Sequence, residues 1–252
     1  MATLTALIRT ARALWRLLRT LLHVGHGMAV VALQWRWLDE PGRHARIQWW
    51  AAKLLRCMGL RLQLDGQVHG GATLLVANHV SWLDILAIHA VCPQARFVSK
   101  ADVRHWPLLG WLVASVGTLF IERERKRDAL RVVHQVADSL RAGQTVALFP
   151  EGTTGDGQVL LPFHANLLQP AIVTGTPVQA LGLNYSEPGH AVSPAVSWVG
   201  ATSLLHSVWA IASASGVQVR ITLLPAIATA HADRRALAAH LQQLVLQATR
   251  SP

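Results

Sequence analysis

Charge is scarce in this chain, and acid is scarcer still. Only 14% of its 252 residues are charged, and 13 Asp and Glu stand against 23 Lys and Arg, for a formal net charge of +10. A nucleic-acid-binding surface ordinarily spends many more charged residues on its partner, so that reading explains the sign and little else. Cysteine is almost missing: Cys57 and Cys92 stand far apart, which offers neither a disulfide framework nor a thiolate metal site and makes a reducing compartment the default. No HExxH accompanies the thirteen histidines, and His23-x-x-His26 lies in an apolar stretch, so no metal is expected. G-x-S-x-G is absent too, which removes the usual signature of a serine hydrolase.

Long apolar runs are also lacking. The charge-free stretch from Thr20 to Trp35 is sixteen residues broken by two glycines and two histidines, short of the ~18 to 20 that a spanning helix needs. Upstream of it, Arg9, Arg12, Arg16 and Arg19 recur at helical spacing, with Leu4, Leu7, Ile8, Leu14, Trp15, Leu18, Leu21 and Leu22 on the other faces. That pattern predicts a basic amphipathic segment of one or two helices lying in one leaflet rather than crossing it. The spread of the arginines and the want of a small-residue cleavage site argue against a cleaved signal peptide. Ten basic residues and only Asp39 and Glu40 fall within residues 1–61, a net +8 that leaves +2 for the rest, and half of the ten tryptophans fall there as well. Tryptophan beside arginine suits a bilayer interface, and the positive charge suits an anionic one.

What is abundant is aliphatic residue, 52% hydrophobic in all, enough to bury a sizeable core. Residues 39–42 read as a break and 45–58 as a helix ended by Gly59. Short apolar runs at 60–65, 72–77, 96–100, 118–121, 145–149, 177–185 and 217–224 read as strands, and 82–91, the segment ending at 140, 165–174, 202–213 and 233–248 as helices. Strands alternating with helices predict an α/β fold with a central, largely parallel sheet flanked by helices. The expected organisation is a membrane-associating helical region over residues 1–58 and an α/β domain over 59–252.

The chemistry gathers after the second strand, at Asn78-His79-Val80-Ser81-Trp82-Leu83-Asp84. In a continuous helix five residues turn the second side chain roughly 140° from the first, so His79 and Asp84 meet only if the chain bends between them. With His79 in a strand-to-helix turn and Asp84 in the helix's first turn, the carboxylate can hold one imidazole nitrogen and leave the other free as a base. Ser81 to Asp84 also reads as a capping box, with Ser81 as N-cap. The two readings are compatible, because a carboxylate has several lone pairs.

These residues resemble the first motif of the glycerolipid acyltransferases, the family that includes the 1-acylglycerol-3-phosphate acyltransferases. Gly117-Thr-Leu-Phe-Ile-Glu-Arg123 resembles the second block, Phe149-Pro-Glu-Gly-Thr153 the third and Thr176-Pro-Val-Gln179 a degraded fourth. Four blocks in order over residues 60–185 are far more specific than any one. The resemblance implies His79 and Asp84 as the catalytic pair, and Arg123, Glu151, Gly152 and Thr153 as acceptor-binding residues. It implies acyl transfer from acyl-CoA or acyl carrier protein to a lysolipid, without a cofactor, at the cytoplasmic face of a bacterial inner membrane. His164 and Ala165 stand where many members carry lysine and glycine, and Ala180 where a second proline is common. Those departures touch the acceptor, lysophosphatidate in most of the family, with lyso-ornithine lipid or another lysophospholipid as alternatives. A non-catalytic membrane-binding protein would account for residues 1–61 and leave the four blocks unexplained.

Overall fold

A computed structural model describes residues 2–100, 109–121 and 126–250. Its core is a seven-stranded sheet of β1 (Arg61–Asp65), β2 (Leu74–Ala77), β3 (Arg96–Lys100), β4 (Leu119–Ile121), β5 (Val146–Leu148), β6 (Val178–Ser186) and β7 (Gln218–Leu223). The strands lie in the order β1-β7-β6-β2-β5-β3-β4. Every pairing is parallel except β6 with β7. The fold is therefore mixed α/β with a mostly parallel sheet.

Alternation along the strands assigns the two faces. Leu75 and Ala77 of β2 point to a layer containing Leu55 and Met58 of α2 (Glu40–Met58), Leu83 and Ile88 of α3 (Leu83–Val91) and Ile211 of α7 (Leu204–Ser213). Leu74 and Val76 point the other way, to Val136 of α5 (Lys126–Arg141), Ala171 of α6 (Gln169–Thr174) and Leu241 of α8 (Arg234–Arg250). All four residues of β2 are buried. Covered on both faces, it has no polar alternation to show, which is why its sequence is a plain aliphatic run. A short α4 (Leu109–Ser115) precedes β4.

Three features mark the N-terminal region. First, α1 (Ala2–Leu33) is one helix of 32 residues, within the one or two expected, and it continues through Gly25 and Gly27. Gly27 is a point of close approach: a Cβ there would sit 2.2 Å from the Trp50 indole nitrogen. Around it Trp50 Nε1–H donates to the His23 carbonyl, and His23 Nε2 lies 3.0 Å from the Trp50 carbonyl. Second, the break expected at 39–42 is the start of α2. Asp39 accepts from the Gly42 N–H as N-cap, and Pro41 occupies the first turn, where its missing N–H costs nothing. Third, two of the arginines face the protein. Arg12 and Arg16 donate to the carbonyls of Ala212, Ser213 and Ala214 at the C-terminal end of α7, where cations complement the helix dipole. The apolar side of α1 is left outward: Leu7, Ile8, Leu14, Trp15, Leu18, Leu21, Leu22 and Leu33 are exposed. Among the described residues no helix is long and apolar enough to cross a membrane.

Candidate active site

The site forms where β2 ends, at the carboxyl edge of the parallel strands where open α/β sheets bind ligands. Asn78 ends the ladder in a side-chain form. Its amide donates to the Leu183 carbonyl (2.9 Å) and accepts from the Leu183 N–H (2.7 Å), so the chain stays tied to β6 for one more residue before turning. Two loops then hold the turn from either side. His79 N–H donates to Glu151 Oε1 (2.7 Å), Gly155 N–H to the His79 carbonyl (2.8 Å) and Trp198 N–H to the Val80 carbonyl (3.1 Å).

Within this turn the bend predicted between His79 and Asp84 brings the two together, with Nδ1 2.8 Å from Asp84 Oδ2. That same oxygen accepts from the backbone N–H groups of Val80 (2.7 Å) and Ser81 (2.9 Å). Oδ1 accepts from the Tyr185 hydroxyl (2.7 Å). Asp84 is fully buried and every donor around it is satisfied by the charged carboxylate. An acceptor-only partner requires the proton on Nδ1 of neutral His79, and Nε2 is then the basic nitrogen. The imidazole stacks on Phe149 at 4.0 Å between centroids with planes 8° apart, which fixes its orientation. Its side chain is 19% exposed, open enough for a substrate hydroxyl.

Half of the capping box is present. Asp84 reaches back to the Ser81 N–H, but Ser81 Oγ makes no hydrogen bond and Ser81 is wholly buried. That burial disposes of Ser81 as a nucleophile, since no substrate reaches it. Tyr185 was invisible to local spacing, being 101 residues from its partner. A signal did exist: it is the chain's single tyrosine, at the end of an apolar strand, where a buried hydroxyl needs a partner. Burial and the neighbouring Asp84 charge raise its pKa well above the usual phenol value, so it donates and stays neutral.

Glu151 is buried, and its two oxygens are both taken by backbone, Oε1 by His79 N–H and Oε2 by Leu161 N–H (2.8 Å). Burial pushes its carboxyl pKa up, and these two donors pull it down. Its geometry ties the third block to the His79 turn. Gly152 takes φ +74°, a conformation glycine adopts freely, beside the His164 ring, and Thr153 is exposed next to it. Arg123 lies outside the described residues. Among the described residues no group of three His, Cys, Asp or Glu side chains converges as metal ligands would.

Comparison with known proteins gives the family. The acyltransferase family model matches residues 61–184, which takes in the His79 turn, the Glu151 loop and most of β6. The lyso-ornithine lipid O-acyltransferase of Pseudomonas aeruginosa is 36% identical over 97% of this chain and 93% of its own length. The chain belongs to the acyltransferase family. A 1-acyl-sn-glycerol-3-phosphate acyltransferase of Neisseria meningitidis is 37% identical over 75% of this chain and 73% of its own. The fold matches the crystal structure of the 1-acyl-sn-glycerophosphate acyltransferase PlsC from Thermotoga maritima, with a TM-score of 0.73 over 97% of this chain and 96% of that one at 18% identity. As a member of this family the protein is an enzyme of acyl transfer.

Proposed function

We infer that the protein is a lysolipid O-acyltransferase, carrying an acyl group from a thioester to the free hydroxyl of 1-acyl-sn-glycerol-3-phosphate in phospholipid synthesis. The observation that carries this reading is the imidazole held by a buried carboxylate at Nδ1 in a histidine that lines a cleft. His79 Nε2 takes the hydroxyl proton as the oxygen attacks the thioester carbonyl. A new C–O bond forms, the tetrahedral intermediate collapses with loss of the C–S bond, and the departing thiolate takes the proton back from His79. Asp84 stabilises the imidazolium that exists in between. The thioester is already activated, since a thiol of pKa about 8 to 9 leaves readily, so the balance closes without a further reactant. Acyl-CoA or acyl carrier protein supplies the donor.

Arg123 is the proposed contact for the acceptor phosphate, through the bidentate hydrogen bonds a guanidinium makes. Gly152 and Thr153 border the same acceptor, with Glu151 shaping the turn. A second acceptor, lyso-ornithine lipid, is favoured by the relative that matches 97% of the chain and by the loop itself. From Glu151 to His164 that loop contains no lysine or arginine, so it offers an anion His164 and otherwise neutral donors: backbone N–H groups, threonine hydroxyls and the Gln158 amide. A panel of lysolipids with labelled acyl-CoA decides between them. If lysophosphatidate is the acceptor, Arg123→Ala lowers kcat/KM about ten- to a hundredfold on it, the worth of one charged hydrogen bond, and has little effect on phosphate-free lysolipids. Equal losses on both kinds remove Arg123 from phosphate recognition, and turnover of lyso-ornithine lipid alone selects the second acceptor.

The reaction takes place at the inner-membrane surface, with the outward apolar side of α1 as the contact. Trp37 and Trp49 extend this surface, and Arg36 and Lys53 lie over their rings, each at 4.6 Å. An exposed apolar stripe of this length on a soluble body calls for a covering partner. Since α1 also docks the catalytic body through Arg12 and Arg16, point substitutions test the contact better than deletion. Replacing Leu14, Leu18 and Leu21 together by serine is expected to weaken cosedimentation with anionic phospholipid vesicles at least about a hundredfold, without lowering Tm appreciably. Unchanged vesicle binding would take the contact away from α1.

A further inference from the structure

A cleft of about 600 Å³ opens beside His79. Asn78 and His79 form one end, and its walls are the loop 155–160, the loop 189–192 and the last turn of α8. We propose that this cleft is the channel for the phosphopantetheine arm of the thioester donor, with Arg250 meeting the phosphate at its outer end. The proposal rests on the acyl-thioester reading above and adds the side from which the donor enters.

Two substrates must meet at one imidazole, because the hydroxyl attacks the thioester directly. The lysolipid keeps its tail in the hydrocarbon and so approaches from the side of α1, whose outward apolar stripe is the proposed membrane contact. None of the residues lining this cleft comes from α1, α2, α4 or α7. The helical part of its lining, Leu246, Thr249 and Arg250, belongs to α8 on the other face of the sheet, the side open to a water-soluble donor. The chemistry of the walls agrees. Gly157 and Gly189, at positive φ of +77° and +88°, leave backbone uncovered along the wall. Bare backbone N–H and C=O groups, with the exposed Gln158 amide, are partners for the two amides of a pantetheine arm. Val159, 66% exposed, offers an apolar surface to the arm's dimethyl group. Arg250 is exposed, lines the cleft and has no ion-pair partner among the described residues, whereas His190 Nδ1 lies 3.8 Å from Glu187 Oε1. The guanidinium is therefore the cation available for a phosphate.

The test uses the full chain and a non-reactive thioether analogue of acyl-CoA, titrated by calorimetry, so that binding is read without turnover. Arg250→Glu should raise its Kd about ten- to a hundredfold but that of an S-alkyl pantetheine, which lacks the phosphate, less than about threefold. Ala191→Phe, at an exposed wall position, should obstruct both ligands. In transfer assays both substitutions should raise the donor KM and leave the lysolipid KM alone. Equal Arg250→Glu losses with acyl-CoA and acyl carrier protein support the shared phosphopantetheine phosphate. A loss with acyl-CoA alone overturns that assignment in favour of the nucleotide phosphates. Unchanged thioether binding in both variants overturns the channel, as does a raised lysolipid KM in place of the donor effect. Should the wild type bind the thioether yet acylate no lysolipid, the acceptor reading fails and the channel stands.

Discussion

His79→Ala should cut kcat for acyl transfer by about 10³- to 10⁴-fold, the upper part of what a positioned general base supplies, while the protein remains folded. Asp84 loses one of its donors but keeps the Val80 and Ser81 N–H groups and the Tyr185 hydroxyl, so the buried charge stays solvated by protein. Phe149 loses its stacking partner, a cost of order 1 kcal/mol, which in a chain of this size lowers Tm by only a few degrees, about 2 to 4. Turnover in single-turnover assays with saturating lysolipid and acyl-CoA, set beside a melting curve, separates the two effects. Near-wild-type turnover would sink the mechanism. A loss of turnover that tracked a collapse in Tm would make His79 structural.

Much of this site was legible in sequence because its central relation is local. His79 and Asp84 are joined by one turn, and an aliphatic run before it and an apolar helix after it fix where the chain bends. The strands were legible for a related reason: those buried on both faces are uninterrupted aliphatic runs, and glycine, proline and aspartate mark their ends. What escaped notice is non-local. Tyr185 reaches Asp84 from β6, Asn78 pairs with Leu183, and Trp198 closes the turn, and no spacing rule links those positions. Glu151 was read as an acceptor ligand from its block, whereas its oxygens are engaged by two backbone donors whose positions depend on the tertiary fold. The arginines of α1 show the same limit from another side. Helical spacing placed them on one face, but not against the carbonyl end of α7, because only the packed structure says which face turns inward.

Asp84→Asn is the second large effect, and the hydrogen bonds around the carboxylate say what form it takes. Three donors converge on Oδ2 and one on Oδ1. The amide of asparagine must therefore put its oxygen where Oδ2 was, since its NH₂ would otherwise face three N–H groups. Its NH₂ then faces Tyr185, whose hydroxyl can rotate and accept. His79 keeps its Nδ1–H tautomer and its position, so the variant removes the negative charge and little else. The imidazolium formed during proton transfer loses its counter-ion in a buried setting, and kcat should fall on the order of 10²- to 10³-fold, a charged hydrogen bond and its Coulombic support together. Tm should drop modestly. Asp84→Ala should be far more damaging to the fold, because it strands the Val80 and Ser81 N–H groups and the Tyr185 hydroxyl in the interior. Tyr185→Phe, harmless in charge, should by itself cost about 1 to 3 kcal/mol of stability by leaving Oδ1 without its donor, with turnover reduced less than about tenfold. In the Asp84→Asn background the same Tyr185→Phe change strands the amide NH₂ instead. The measurement is the double-mutant cycle, in both kcat and Tm. A Tm cost of Tyr185→Phe that is larger beside the charged carboxylate than beside asparagine confirms that the tyrosine hydroxyl completes the carboxylate's shell, an unchanged Tm in Tyr185→Phe would detach it, and wild-type kcat in Asp84→Asn would show that the charge plays no part in the transfer.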